Sequence, residues 1–112
     1  MALPSANRLP AGRILQVLRK GRSMNHGPLS VKFIPGNAGV SRIGVLISGK
    51  VLSKANERNS LRRCITEEFR NNKKILALGM DFIIKVLKAG DKSSRKEYFR
   101  GQIESIMRGL IK

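Results

Sequence analysis

The chain carries almost none of the residues that build covalent or metal-based sites. Among 112 residues there is one cysteine, Cys64, and one histidine, His26. An intramolecular disulfide is therefore excluded, and no zinc cluster of Cys and His can be assembled. A reducing, intracellular setting fits that composition. Tryptophan is absent and aromatic residues come to 4%, so wide base-stacking platforms are not available. No apolar run reaches transmembrane length, and the N-terminus lacks the uninterrupted apolar core of a secretory signal, so no membrane partner is expected. Acid is missing from half of the chain. No Asp or Glu precedes Glu57, a stretch that already holds nine Lys or Arg, and all seven acids follow.

What is present points to a folded polycation. The formal net charge is +16 with a pI of about 11.4, yet 41% of the residues are hydrophobic. At this length one domain over 1–112 is expected, burying roughly two thirds of its unfolded surface. A core of ordinary size beneath so basic a surface is the electrostatic footprint of a nucleic-acid binder.

The apolar spacing gives an element order. Residues 1–10, with Pro4 and Pro10, read as an extended lead-in. Ile14, Leu15, Val17 and Leu18 mark a short helix from about Gly12 to Lys20, stopped at Gly21. Residues 22–28 read as a loop around His26. Leu29, Val31 and Phe33 alternate with polar residues as a strand. Pro35 to Gly39 reads as a turn or hairpin connection to a second strand, Arg42 to Ser48. A helix is expected from about Asn56 to Leu76, then a strand from Asp81 to Leu87 and a turn from Ala89 to Lys92. A last helix runs from about Ser94 to Ile111, where Ser94 and Glu97 fit a capping box. The order α-β-β-(β)-α-β-α predicts an α/β protein of the α+β kind, a two-layer sandwich with a small mixed sheet packed by helices.

The long middle helix carries the chemistry. It opens on Lys54-Ala55-Asn56-Glu57-Arg58-Asn59-Ser60-Leu61-Arg62-Arg63. Leu61, Ile65 and Phe69 recur every four residues as a buried seam. At ~100° per residue, Asn59, Arg62, Arg63, Thr66 and Arg70 fall on one flank of it, and Glu57 and Glu68 on the other. Arg58, Arg62 and Arg63 can make forked bonds to phosphate. Asn59 can address a ribose hydroxyl or base edge, or cap the helix. Lys50 and Lys54 extend the patch along the strand exit, and Arg8 and Arg13 are a weaker second candidate. A catalytic site within the chain is not evident. Glu67 and Glu68 diverge around the helix, Asp81 is isolated at a strand start, and Cys64 reads as a small buried hydrophobe. Two-metal hydrolysis needs several convergent oxygen ligands, and none cluster in the sequence.

With that helix and element order in hand, the chain resembles the protein subunit of bacterial ribonuclease P. The resemblance rests on Ser48-Gly49-Lys50-Val51-Leu52, Lys54-Ala55-Asn56, Arg58-Asn59-Ser60, Arg62-Arg63 and Thr66-Glu67. Asn7-Arg8-Leu9, Arg19-Lys20-Gly21-Arg22 and Gly79 to Ile84 also look like the family. Gly49, Leu52, Ser60 and Thr66 depart from its pattern, which weakens or moves up to three cationic contacts. The resemblance implies a fold similar to the second domain of ribosomal protein S5, with a left-handed βαβ crossover in place of the usual right-handed one. It implies a monomer in a one-to-one complex with the catalytic RNA of ribonuclease P, in the bacterial cytoplasm. The RNA subunit would cleave the 5′ leader from precursor tRNA with Mg²⁺ held by RNA, so the enzyme's catalytic groups would lie outside this chain. RNA binding is carried over to Lys50, Lys54, Arg58, Asn59, Arg62, Arg63 and Arg70. A leader cleft is carried over to Ile14, Leu18 and Lys32. The alternative is a non-catalytic RNA-binding ribosomal or assembly protein on the same fold.

Overall fold

The computed structural model describes residues 8–36, 39–90 and 93–111. Its elements are α1 (Ala11–Lys20), β1 (Arg22–His26), β2 (Leu29–Pro35), β3 (Arg42–Leu46), α2 (Ala55–Arg70), α3 (Lys73–Ala77), β4 (Met80–Val86) and α4 (Arg95–Ile111). Most of the lead-in, part of the turn after Pro35 and part of the turn before Ser94 fall outside the described residues.

The sheet order is β1-β2-β4-β3, with β3 parallel to β4 and the other pairs antiparallel. β4 takes a central place because its run Phe82-Ile83-Ile84 is apolar on both faces and needs cover on both. Leu29, Val31, Phe82, Ile84 and Val86 face α2, α3 and α4 in the main core. The alternate positions face α1, where Val17, Leu9 and Ile83 form a small second cluster flanked by Ile14 and Leu18. Helices thus pack both faces, α1 on one and α2 to α4 on the other.

Three expectations about the elements change. Residues 22–28 are not a loop: Arg22–His26 is an edge strand, antiparallel to β2 from Arg22↔Phe33 to His26↔Leu29. Only Met24 is apolar on its core-facing side, so the alternation that marks a strand is nearly silent. The two-residue turn Gly27-Pro28 has φ +55 at Gly27, as a II′-type hairpin requires at its first position. The segment after Pro35 is not a hairpin connection either. β4 lies between β2 and β3, and the chain crosses its end, with Gly36 N–H donating to Gly79 O and Ser41 N–H to Leu76 O. The long helix is two helices. Asn72 breaks it in extended conformation and caps α3, its side chain accepting from Ile75 N–H. In an unbroken helix Ile75 would point ~80° off the seam, whereas the break buries it fully.

Asp81 is not isolated. It is fully buried, and its carboxylate accepts from Arg13 Nε at 2.9 Å and from Arg42 Nε and Nη2 at 2.9 and 2.8 Å. This triad ties α1 to β3 and β4. Burial pushes the Asp81 carboxyl up, but the hydrogen bonds from Arg42 and Arg13 outweigh it and hold it below the usual carboxylate range. A depressed folded pKa stabilises the fold above the unfolded value of about 3.9 and is lost as pH falls through the folded value. Asp81→Asn is expected to cost about 3 kcal/mol at neutral pH, since it strands two partly buried guanidinium groups. In urea titrations the gap between the two proteins should hold above about pH 5 and shrink below about pH 4. A gap independent of pH would show that the charge does not matter.

Candidate nucleic-acid interface

α2 begins without a side-chain cap at Lys54 and buries Leu61, Cys64, Ile65 and Phe69. Its two flanks have different neighbours. On one, Glu57 faces Arg95 at 3.6 Å and Glu68 faces Arg100 at 3.5 Å, both arginines being on α4. Cys64 lies on the same side, its thiol directed at the Lys96 carbonyl, and burial pushes its pKa up. A thiol so placed is a packing group, not a nucleophile. Glu57 and Glu68 are therefore turned toward α4 and matched there, whereas Glu67, half-buried, falls beside Arg63 and Arg70 in helical spacing. The other flank, with Asn59, Arg62, Arg63 and Arg70, faces away from α4.

The individual side chains on that flank are not equivalent. Arg63, Asn59, Lys50 and Lys54 are exposed, whereas Arg58, Arg62 and Arg70 are half-buried. Arg58 spends Nη1 on the carbonyls of Leu52 and Ser53, at 2.7 and 2.9 Å. It braces the 47–54 segment that carries Lys50 and Lys54. Asn59 does not cap the helix. It sits in the second turn, where its Oδ1 accepts from Arg62 Nη1 at 3.0 Å and holds that guanidinium at a fixed angle. Thr66 Oγ bonds back to the carbonyls of Arg62 and Arg63, which leaves no cation at that position. Arg70 Nε is buried with no hydrogen-bond partner among the described residues.

The residues assigned to a cleft do meet. Lys32 Nζ donates to the Leu18 carbonyl at the end of α1 at 2.9 Å, and Ile14 and Leu18 are half-buried against the sheet. They form the wall of α1 against β2. The uncovered part of the same sheet face carries Ser23, Asn25, Ser30 and Lys85, which share it by register. Arg13 is held by Asp81 and is no loose RNA contact. His26 is not a loop residue. It is half-buried on β1, with Nδ1 2.6 Å from Gln102 Oε1. No group of three His, Cys, Asp or Glu able to hold a metal occurs among the described residues. The Asp81 oxygens are occupied by arginine, so the described residues do not fit a resident Mg²⁺ site. No helix among the described residues is long and apolar enough to cross a membrane.

Together these features define a basic α/β protein with one cationic helix flank and a mixed sheet. Comparison with known proteins gives the family. The family model Ribonuclease P matches residues 3–110, and the chain belongs to that family. It is 31% identical over 70 residues to the ribonuclease P protein component of Thermotoga maritima, covering 62% of this chain and 59% of that one. The Prochlorococcus marinus counterpart is 31% identical, with 96% of this chain and 94% of the relative covered. Several alignments, the Thermotoga maritima one included, thus span about three fifths of the relative's length. Among solved structures, the RNase P protein of Thermotoga maritima matches at TM-score 0.66 and 28% identity, covering 93% of this chain and 91% of that one. The Staphylococcus aureus RNase P protein matches at TM-score 0.73 and 25% identity, covering 96% and 92%.

The geometry separates two kinds of arginine. Arg62→Ala is expected to lower the slope of log affinity for RNA against log salt by about 1, the share of one phosphate contact, with little change in melting temperature. Arg58→Ala should weaken RNA binding and lower the melting temperature as well, since the 47–54 segment loses its brace. Salt titrations of binding and thermal melts of both variants check this. Equal melting temperatures would remove the bracing role.

Proposed function

We propose that this chain is the protein subunit of ribonuclease P. It binds the catalytic RNA through the outer flank of α2, with Arg62, Arg63 and Arg70 on phosphates, Asn59 orienting Arg62, and Lys50 and Lys54 extending the patch. Arg58 contributes by shaping the segment that presents the two lysines. The groove between α1 and the sheet, walled by Ile14, Leu18 and Lys32, takes the 5′ leader of precursor tRNA. Without an exposed aromatic residue at these positions, the leader is held by charge and shape and not by stacking.

The observation that carries this reading is the sorting of charge across α2. Glu57 and Glu68 face α4, so the opposite flank is dominated by Arg62, Arg63 and Arg70, with Glu67 the one acid of the helix beside them. Membership of the ribonuclease P family supports reading this surface as RNA-binding. Catalysis belongs to the RNA in this reading, with Mg²⁺ held by RNA. The protein contributes neutralisation and positioning: it lets two polyanions approach. One copy serves one RNA, in the cytoplasm of a bacterium.

The test is cleavage of precursor tRNA by the host's ribonuclease P RNA at low Mg²⁺, with and without the protein. Addition should raise correctly placed 5′ cleavage on the order of tenfold or more, the scale of electrostatic concentration of a charged partner. Protein alone should not cleave. An unchanged rate with RNA binding intact would contradict the assignment.

A further inference from the structure

β3 and β4 run parallel, and both carboxyl ends open into one cleft of about 590 Å³. In open α/β sheets the carboxyl ends of parallel strands are where ligands enter, and this volume is within the range of about 300–1,000 Å³ common to small-ligand sites. Val45, Val51 and Leu87 supply apolar surface, and Lys50, Arg62 and Lys85 supply charge. No acidic side chain lines it. The larger cleft between α2, α3 and α4 differs in this respect, since Glu68 and Glu104 stand in it beside its cations.

The wall is held in shape by the chain's own hydrogen bonds. Arg58 holds the carbonyls of Leu52 and Ser53, and Ser48 O accepts from both Val51 and Leu52 N–H. Asn59 fixes Arg62 at the rim. Leu87, between Val86 and Lys88, is 43% exposed. Its backbone is anchored independently by donation to Pro28 O.

A site with apolar surface, three cations and no acid is complementary to a flat, weakly polar group joined to an anion. We propose that the cleft seats a single unpaired nucleotide of the partner RNA, its base against Val51 and Leu87 and its phosphate among Lys50, Arg62 and Lys85. This rests on the reading of α2 as the RNA-binding helix and adds to it. A paired duplex cannot insert a base, so the site gives preference for a bulge or kink where phosphate contacts alone give none.

The experiment uses the full chain and three RNA hairpins. One is fully paired, one carries a single bulged adenosine, and one carries an abasic residue at the bulge. Fluorescence anisotropy should show the bulged hairpin binding about tenfold tighter than the paired one, the scale of one buried base. The abasic hairpin and the Leu87→Ser variant should each lose most of that preference. Equal binding of the bulged and paired hairpins by the unaltered chain overturns the proposal while leaving the α2 clamp standing. Binding of the paired hairpin that ignores both salt and Arg62→Ala overturns the clamp, and this proposal with it. Displacement of bulged RNA by micromolar AMP overturns the RNA assignment in favour of a free-nucleotide site.

Discussion

The cationic face depends on how α2 is gripped from behind. Leu61, Ile65 and Phe69 dock its seam on the sheet, and Arg95 and Arg100 of α4 face Glu57 and Glu68. Partly exposed pairs at 3.5–3.6 Å are each worth under about 1 kcal/mol. Their effect lies in orientation more than in stability. They draw Glu57 and Glu68 to the side where α4 packs and leave the arginines on the other, with Glu67 as the single acid of the helix next to them. If α2 were rotated by a third of a turn, Glu57 and Glu68 would lie among those cations, and the same composition would present a neutral face.

The parallel pair β3–β4 puts that helix where it can act. The crossover from β3 through α2 and α3 to β4 places the N-terminal turn of α2 beside the carboxyl ends of both strands. The 47–54 segment, braced by Arg58, fills the angle between them. At the opposite end of β4, Asp81 gathers Arg13 and Arg42 and so fixes α1 against the face that holds the proposed leader groove. One end of the sheet therefore carries the proposed RNA clamp, and the other end anchors the wall of the proposed leader groove. Both ends use arginine, but in opposite settings: two guanidinium groups are neutralised in the interior by a buried carboxylate, while Arg63 of α2 is exposed at the surface.

Much of this is legible in the sequence because periodicity reports local geometry. The alternation of Leu29, Val31 and Phe33, the run Phe82 to Ile84 and the four-residue spacing of Leu61, Ile65 and Phe69 each place an element. The flank of α2 follows from the same arithmetic, so its candidate RNA contacts are readable from residue spacing alone. The misses are of two kinds. β1 is an edge strand with one apolar core residue, so its pattern carries almost no signal, and a Gly-Pro pair by itself fits a loop as well as a hairpin turn. The other misses involve partners far apart in sequence. Asp81 meets Arg13 and Arg42 across 68 and 39 positions, and β4 enters between β2 and β3 only after α2 and α3 in chain order. The role of Arg58 belongs with these, because a helical arginine turned back to loop carbonyls depends on a path from Ser48 to Lys54 that no periodicity records.

The central claim is that RNA meets the outer flank of α2 and not the face of α4. The most direct test is lysine acetylation of the full chain, read by mass spectrometry, with and without ribonuclease P RNA. Lys50 and Lys54 should become protected on addition of the RNA, while Lys96 on α4 and Lys74 on α3, all exposed in the free protein, should stay reactive. Protection of Lys96 and Lys74 with Lys50 and Lys54 unchanged, or equal protection of all four, would contradict it.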